Sequence, residues 1–308
     1  MIRSDGAKHL AATATLLALT AAVISGLSNF INKIAVTAVK DAVVFTTLKN
    51  AVVALALVGL LLALKKLPEI RSLRRGQWLK LLAVGVIGGS IPFALFFTGL
   101  TMTSAVNASL IHKTLFVWVI LLAAPLLKEK MSPGQWLGIA AIFGANLLVG
   151  GFTGFKYNAG ELLVLAATLL WAAENIIAKT ALRDVSSTTV VAARMVIGSL
   201  VLLPIAAWRG GFGAVTSMNA AHWGWTLLSA ALLLAYVVTW YAALKRAPAS
   251  YVATLIVPAT LVTNILSAVF VSHSFPAQQW AGTYLFAFGA FLVIYFSRRR
   301  SPAAATAA

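Results

Sequence analysis

The chain has 308 residues, of which 61% are hydrophobic and only 10% charged, and its formal net charge is +17. Soluble domains carry about 25% charged and about 45–50% apolar residues, so the composition argues against a soluble enzyme or a soluble nucleic-acid-binding protein. No cysteine occurs, which excludes disulfides, thiolate metal sites and thiol nucleophiles.

Ten apolar segments follow one another along the chain, separated by mostly short connectors with clusters of Gly, Pro, Ser or charged residues. A membrane-crossing helix needs about 20 mostly apolar residues, and most segments are close to that length. Strands of membrane barrels have about 10 residues of alternating polarity, so these continuous runs predict helices. The predicted spans are 10–32, 41–64, 78–98, 104–127, 135–151, 159–182, 188–208, 223–244, 251–272 and 280–297.

The basic residues lie mainly at one end of the predicted spans. Of the 24 Lys and Arg residues, 17 fall in the two tails and in or beside every second connector, 4 in the other connectors and 3 inside spans. Basic residues accumulate in cytoplasmic loops, so the pattern predicts that both termini are cytoplasmic. The basic start and first apolar run also fit a signal peptide, but the internal repeat uses this run and therefore favours a retained span.

The two halves of the chain resemble each other at an offset of about 145 residues. Six short matches occur in order, among them Lys49 with Arg194 and Trp78 with Trp223. Each half holds five predicted spans, an odd number, so the second half must cross the membrane in the opposite sense. The sequence therefore predicts an all-α membrane protein with ten transmembrane helices, as two inverted five-helix repeats over residues 1–152 and 153–308.

These features resemble the ten-helix EamA-type members of the drug/metabolite transporter superfamily, over about residues 10–297. The residues and motifs that carry the resemblance are Asn29, Lys49, Glu129, Gln135-x-x-Gly138, Trp171, Asn175, Arg194 and Gln279-x-x-Gly282. In length and layout the chain is similar to bacterial amino-acid exporters, including those for aromatic amino acids. The resemblance implies a secondary transporter of the bacterial inner membrane, with its substrate site between the repeats.

Two positions depart from the family's pattern. The family often has a proline in the fourth and ninth spans; Pro258 fits the ninth, but Lys113 stands at the fourth-span position. The family's Glu at the end of the fourth span is Glu129, whose second-half counterpart falls near His273-Ser274. The first departure places a charge in mid-membrane and is expected to change which substrates are accepted.

Charged residues inside the spans are the main candidates for function, because each costs about 2.5–3.5 kcal/mol on insertion scales unless it faces a cavity or a partner. Lys113 lies about 15 Å along its helix, at 1.5 Å per residue. Glu174 has two interpretations: a salt bridge at the helix end to Lys179 or Arg183, or a carboxylate that binds an ammonium or carries a proton.

The remaining polar residues in the spans have structural and functional interpretations. Lys49 and Arg194 occupy equivalent places in the two halves, which favours a structural role such as snorkelling or tying helices together. His112 is interpreted first as a packing histidine and second as a ligand or proton carrier. Pro92 is expected to free a backbone carbonyl and to kink the third span.

The resulting hypothesis is a zwitterion site in which Lys113 meets a carboxylate and Glu174 an ammonium. Asparagine, serine and threonine side chains would add hydrogen bonds, and aromatic rings would fill the side-chain end. The predicted substrate-binding residues are Lys113, Glu174, His112, Asn29, Asn175, Trp171, Ser109, Thr254 and Tyr241.

Other functions stay open at this stage. A basic set of Lys49, His112, Lys113 and Arg194 could instead serve an anion or phosphorylated-metabolite exchanger. The further alternatives are a drug or toxic-cation effluxer, a channel, and an intramembrane structural subunit.

No P-loop, GxSxG, HExxH or paired-carboxylate motif occurs, so we predict no enzyme activity, cofactor or metal. The predicted partners are a lipid bilayer and a small-molecule substrate, not nucleic acid. Glu174 and His112 are the proton-carrier candidates, and both proton coupling and facilitated diffusion fit the sequence. The oligomeric state is open.

Overall fold

The computed structural model describes residues 2–39, 41–103, 108, 111–150, 158–274 and 276–300, and every regular element within them is helical. Two π-helical segments, Val84–Gly88 and Ala268–Ser272, extend the third and ninth spans. The α-helices are α1 (Ile2–Val39), α2 (Ala42–Ala63), α3 (Leu67–Arg71), α4 (Arg75–Ala83), α5 (Ile91–Met102), α6 (Leu115–Leu126), α7 (Pro133–Gly150), α8 (Ala159–Ala181), α9 (Ser187–Trp208), α10 (Gly211–Thr216), α11 (Ala220–Arg246), α12 (Ala249–Leu255), α13 (Ala259–Ser267) and α14 (Ala277–Arg300).

Seven helical segments of the described residues are long and apolar enough to cross a membrane, and they coincide with predicted spans one, two, three, six, seven, eight and ten. The other three predicted spans correspond to shorter apolar helices, namely Ile111–Leu126, α7 with 18 residues, and Leu261–Val271. The ninth span is broken between α12 and α13 next to Pro258. A proline has no N–H and disfavours helical backbone at the preceding residue, so a break at this point is expected. The protein is a multi-pass membrane protein.

The two ends of the bundle differ in charge. We call the end at which α2 ends and α4 begins the basic end, because the connectors there carry most of the Lys and Arg residues. The other end is called the opposite end. The connectors after α6, α8 and α11 also lie at the basic end: Glu69 on α3 contacts Ser186 after α8, Lys245 at the end of α11 contacts Val185, and Glu129 after α6 contacts Ala249.

The helices form two groups by their packing. The first helix group contains α1, α2, α11, α12 and α13, in which α1 packs against α11 and α13, and α2 against α11. The second helix group contains α4, α5, α6, α8 and α9, in which α8 packs against α5 and α6, and the π-helical segment Val84–Gly88 packs against α9. The groups meet where α2 packs on α9 and where α12 packs on α6, and α7 pairs with α14.

Glycines set the closest helix approaches. A Cβ on Gly138 would lie 2.7 Å from the carbonyl oxygen of Gly289, and a Cβ on Gly289 would lie 2.6 Å from that of Gly138, so α7 and α14 touch through their backbones. Gly99 and Gly160 make an equivalent approach between α5 and α8. Small residues at such crossings maximise van der Waals contact, which drives helix association in membranes.

Gly138→Ala is expected to destabilise the α7–α14 pair, because overpacking of a tight contact typically costs about 1–3 kcal/mol. Thermal unfolding in detergent should show a lower Tm than for the parent protein. The matched control is Gly59→Ala, since a Cβ at Gly59 meets nothing within 4 Å. An equal Tm change in both variants would contradict the close approach.

Carboxylates cap the N-termini of two helices, α2 and α9. Asp41 caps its own helix by accepting from the N–H groups of Val43 and Val44. Glu69 on α3 accepts from the N–H and the hydroxyl of Ser186, the N-cap of α9, at 2.7 and 2.9 Å. Carboxylates stabilise a helix N-terminus through its free N–H groups and its dipole.

The contact between Glu69 and Ser186 should make stability depend on pH. Partial burial acts to raise the pKa of Glu69, but hydrogen bonds from Ser186 and the nearby Lys66 ammonium outweigh it and hold the pKa below its ordinary value of 4.5. The stabilisation is therefore fully present above pH 4.5 and is lost as the pH falls through the lowered pKa. The Tm difference between the parent and Glu69→Gln should shrink in acid, whereas the difference for Gly76→Ala, which changes no titratable group, should not depend on pH. A pH-independent difference for Glu69→Gln would contradict this account.

Candidate functional site

A backbone carbonyl in the third span organises the site. Pro92 has no N–H, so the carbonyl of Gly88, four residues earlier, lacks its α-helical donor. The indole of Trp171 donates to this oxygen at 3.0 Å, and Nη2 of Arg194 donates to it at 3.0 Å. Only glycine fits at position 88, because a Cβ there would collide with the side chain of Glu174. The freed carbonyl thus joins α8 and α9 to the third span.

Glu174 lies beside this carbonyl in a buried polar triad with Arg194 and Tyr241. The Tyr241 hydroxyl donates to Oε1 of Glu174, and Nε of Arg194 lies 3.8 Å from the same oxygen. These residues are only 3%, 9% and 2% exposed for Glu174, Arg194 and Tyr241. The triad therefore closes the space between α8, α9 and α11, about 10 Å from the basic end of α8 at 1.5 Å per residue.

An aromatic cluster lies next to the triad, about one helical turn further from the basic end. The ring of Trp171 has the rings of His112, Phe93 and Phe96 around it, with centroid distances of 4.8, 5.2 and 5.7 Å. Phe93 and Phe96 on α5 and His112 are half-buried. Such faces and edges suit an apolar or aromatic group.

Lys113 follows His112 and is half-buried in the middle of the fourth span. None of the acidic side chains that the structure describes pairs with it. Glu174 contacts Arg194, Glu129 contacts Ala249 and Ser250, and Glu161 contacts Thr103. Glu69 contacts Lys66 and Ser186, Asp41 caps α2, and Asp184 is exposed. The Lys113 ammonium is thus a cation without a carboxylate partner in the described part of the chain.

The structure brings together four of the predicted site residues, Glu174, Trp171, Tyr241 and His112. Asn175 lies beside them, and its amide donates to the Trp171 carbonyl at 2.9 Å while its own oxygen is buried without a described partner.

Two other predicted site residues, Thr254 and Asn29, do not join this cluster. Thr254 is fully buried, and its hydroxyl donates to the Ser250 carbonyl at 2.8 Å. Asn29 lies on an exposed position of α1. Ser109 lies outside the described residues.

The cation that pairs with Glu174 is Arg194, not Lys179 or Arg183, the two helix-end partners considered from the sequence. Lys179 points to α11 and donates to the carbonyls of Leu244 and Ala247, at 2.6 and 2.7 Å, which leaves Arg194 as the cation of Glu174. Arg194 therefore ties helices together, as expected. Lys49 does not snorkel: it is 6% exposed, and its ammonium lies 5.1 Å from the centre of the Phe45 ring.

The sequence interpretation did not include Gly88, Phe93 and Phe96 among the site residues. Pro92 was the signal in the sequence for Gly88, because a proline within a helix leaves the carbonyl four residues earlier without its hydrogen-bond donor. The aromatic rings of the third span carried no signal that separates them from ordinary packing residues.

The sequence also matches known proteins over most of its length. The model of the EamA-like transporter family matches residues 12–151 and again residues 158–295. The chain belongs to the EamA-like transporter family, and it is a membrane transporter.

Its relatives share about the same level of similarity across bacteria and archaea. The uncharacterized inner membrane transporter YhbE of Escherichia coli K12 is 29% identical over 209 residues, which is 65% of this chain and 64% of the relative. An uncharacterized transporter of Archaeoglobus fulgidus is 27% identical over 196 residues, 62% of this chain and 67% of the relative. The matches thus span about two thirds of these relatives.

A solved structure has the same fold. A crystal structure with 17% sequence identity superposes with a TM-score of 0.76 and covers 94% of this chain and 98% of its own. At this level of identity the likeness establishes the fold.

Arg194→Met is expected to destabilise the protein strongly, because removing one partner of a buried ion pair costs about 3–5 kcal/mol. Glu174→Gln added to Arg194→Met should recover part of the loss, since it removes the carboxylate left without a cation. The measurement is Tm in detergent for the parent, both single variants and the double variant. Strictly additive Tm losses would contradict a direct ion pair.

Proposed function

We propose that the protein is a secondary transporter that exports amino acids with aromatic or large apolar side chains by alternating access. The observation that carries the proposal is the half-buried aromatic cluster around Trp171, with the unpaired cation of Lys113 beside it. An amphiphilic carboxylate with an apolar body fits both features.

Lys113 is the proposed partner of the substrate carboxylate. A cation in mid-membrane needs an opposite charge, and no described acidic side chain supplies one. The substrate would bring that charge. This gives the substrate a strong attraction to the site and explains why a lysine can stand at a place where the family often has a proline.

The aromatic cluster is the proposed contact for the substrate side chain. Trp171 holds its place through the Gly88 carbonyl, and Phe93, Phe96 and His112 surround its ring. A ring or a long aliphatic chain inserted here would gain about 25 cal/mol per Å² of buried apolar surface.

Glu174 is the proposed partner of the substrate ammonium, and it also links the two helix groups. Its carboxylate lies on α8 and accepts from Tyr241 on α11. An ammonium that draws Glu174 away from Tyr241 would break a contact between the groups, and substrate binding would thus favour their movement. Protonation of Glu174 would weaken the same contact, which is how a proton could take part.

Two observations support an inverted repeat over residues 1–152 and 153–308. The family model matches the chain twice, once in each half. The helix pairs also come in exchanged sets: α1 packs on α11 and on α13, while α8 packs on α5 and on α6. These sets correspond if the first span is exchanged with the sixth, the third with the eighth and the fourth with the ninth.

The basic end is proposed to face the cytoplasm of a bacterial cell, across the inner membrane. The charge distribution supports this orientation. A relative from Escherichia coli is named an inner membrane transporter. In this orientation both termini are cytoplasmic.

A monocarboxylate with an aromatic ring is a second candidate substrate. Glu174 is already neutralised by Arg194, so the site with Lys113 carries a net positive charge. That charge would also accept an anion that lacks an ammonium, and it disfavours an organic cation of the kind a toxic-cation effluxer would carry.

Lys113→Gln is expected to reduce transport about tenfold or more, since a hydrogen bond to a charged group contributes about 1.5–3 kcal/mol. The measurement is uptake of labelled phenylalanine into proteoliposomes. Lys130→Gln, at an exposed lysine beyond the same span, is the control and should transport at the parent rate. Parent-level transport by both Lys113→Gln and Glu174→Gln would reject the proposed roles.

Competition separates the two candidate substrates. Unlabelled phenylalanine should inhibit the uptake more strongly than 3-phenylpropionate, which lacks the ammonium. The reverse order would favour the monocarboxylate. No inhibition by either compound would reject both.

A further inference from the structure

The two helix groups are joined at the basic end by three charged side chains. Glu129, just after α6, accepts from the N–H groups of Ala249 and Ser250 at the start of α12, at 2.7 and 3.0 Å. Lys179 on α8 donates to the last carbonyls of α11. Lys245 on α11 donates to the carbonyl of Val185 at 2.9 Å. Each contact runs from one group to the other.

These contacts satisfy groups that a helix end cannot satisfy itself. The first N–H groups and the last carbonyls of a helix have no partner within the helix. Glu129 supplies negative charge to a helix N-terminus, and Lys179 supplies positive charge to a helix C-terminus, so both also match the helix dipoles. The partners would be left without these bonds if the two groups moved apart at the basic end.

The opposite end lacks the same set of charges in the sequence. At the offset of about 145 residues, Lys179 has a basic counterpart in Lys33, but the counterpart of Glu129 is Ser274 and the counterpart of Lys245 is Leu100. The N-terminus of α2 at that end is capped by Asp41 of its own connector. The N-terminus of its counterpart α9 is capped in addition by Glu69 on α3, which accepts a hydrogen bond from the N–H of Ser186. An inverted repeat gives two states of similar geometry, and this asymmetry makes their energies differ.

We propose that Glu129, Lys179 and Lys245 form a clasp that keeps the basic end closed in the empty carrier. The proposal rests on the alternating access proposed above. The empty carrier then rests in the state accessible from the opposite end, and the clasp must open before substrate enters from the basic end.

The clasp and the buried triad act on the same pair of helices. Tyr241 lies on α11 about one turn before Lys245, and Glu174 lies on α8 about one turn before Lys179. The contact between Tyr241 and Glu174 therefore reinforces the clasp from within the bundle. When a substrate ammonium draws Glu174 away from Tyr241, the contacts of Glu129, Lys179 and Lys245 are the remaining barrier to opening at the basic end.

Cysteine accessibility can test the clasp, because the chain has no cysteine of its own. Ala178 is a suitable reporter position, since it is fully buried and lies one turn from Glu174 on the face of α8 toward α11. The labelling rate of Ala178→Cys by a charged maleimide is measured in detergent without substrate. Combining it with Glu129→Gln and Lys245→Met should raise the rate about tenfold, given the size of capping and dipole effects.

Two controls make the result specific. Asp41→Asn changes a capping carboxylate that bridges no helix groups, and it should leave the labelling of Ala178→Cys unchanged. The second control is Ala145→Cys. Ala145 is fully buried and lies on α7, which belongs to neither helix group. It should stay unlabelled in the clasp variant.

An unchanged labelling rate in the clasp variant would overturn the proposal. Equal labelling of Ala145→Cys would overturn it as well, because it would show general loosening and not an opening at the basic end. The assay needs no substrate, so absent transport with a working clasp would reject the proposed function and leave the clasp in place.

Discussion

The structure depends on one constraint, that polar groups in hydrocarbon need partners within the protein. Pro92 breaks the helical hydrogen bonding of the third span and leaves the Gly88 carbonyl without its usual donor. Trp171 and Arg194 fill that place, and Arg194 in turn lies beside Glu174. A single missing N–H therefore helps to fix the positions of an aromatic ring, a cation and an anion within the membrane-spanning part of the bundle.

This arrangement connects binding to movement. Trp171 and Glu174 lie on the same helix one turn apart, so a substrate that contacts the ring is close to the carboxylate. The carboxylate is held by Tyr241 from the other helix group. A ligand that rearranges this contact changes the free energy of the interface between the groups, which is the requirement for any ligand to shift a conformational equilibrium.

Much of the fold could be predicted from the sequence, because length and apolarity alone determine where helices can cross a bilayer. The family and the all-helical class followed from the same pattern, together with the repeat. The breaks were harder: the ninth span was predicted as one segment over residues 251–272, and its division into α12 and α13 beside Pro258 depends on local geometry that periodicity does not encode.

The site was only partly predictable, because burial and pairing depend on which helices meet. Glu174 and Trp171 stood out since a charge and a large aromatic ring in a span require an explanation. Arg194 was separated from Glu174 by a connector, and nothing in the sequence made it a better partner than Lys179 or Arg183. Thr254, predicted to bind substrate, is fully buried, and its hydroxyl donates to the Ser250 carbonyl, a local bond that the sequence does not reveal.

Counterflow tests the central claim of alternating access most directly. Proteoliposomes loaded with unlabelled phenylalanine are diluted into a trace of labelled phenylalanine, without any other driving force. The account predicts that the label accumulates transiently inside above its external concentration, because one site is presented to the two sides in turn. Label that only approaches the external concentration, without an overshoot, would contradict it and indicate a channel.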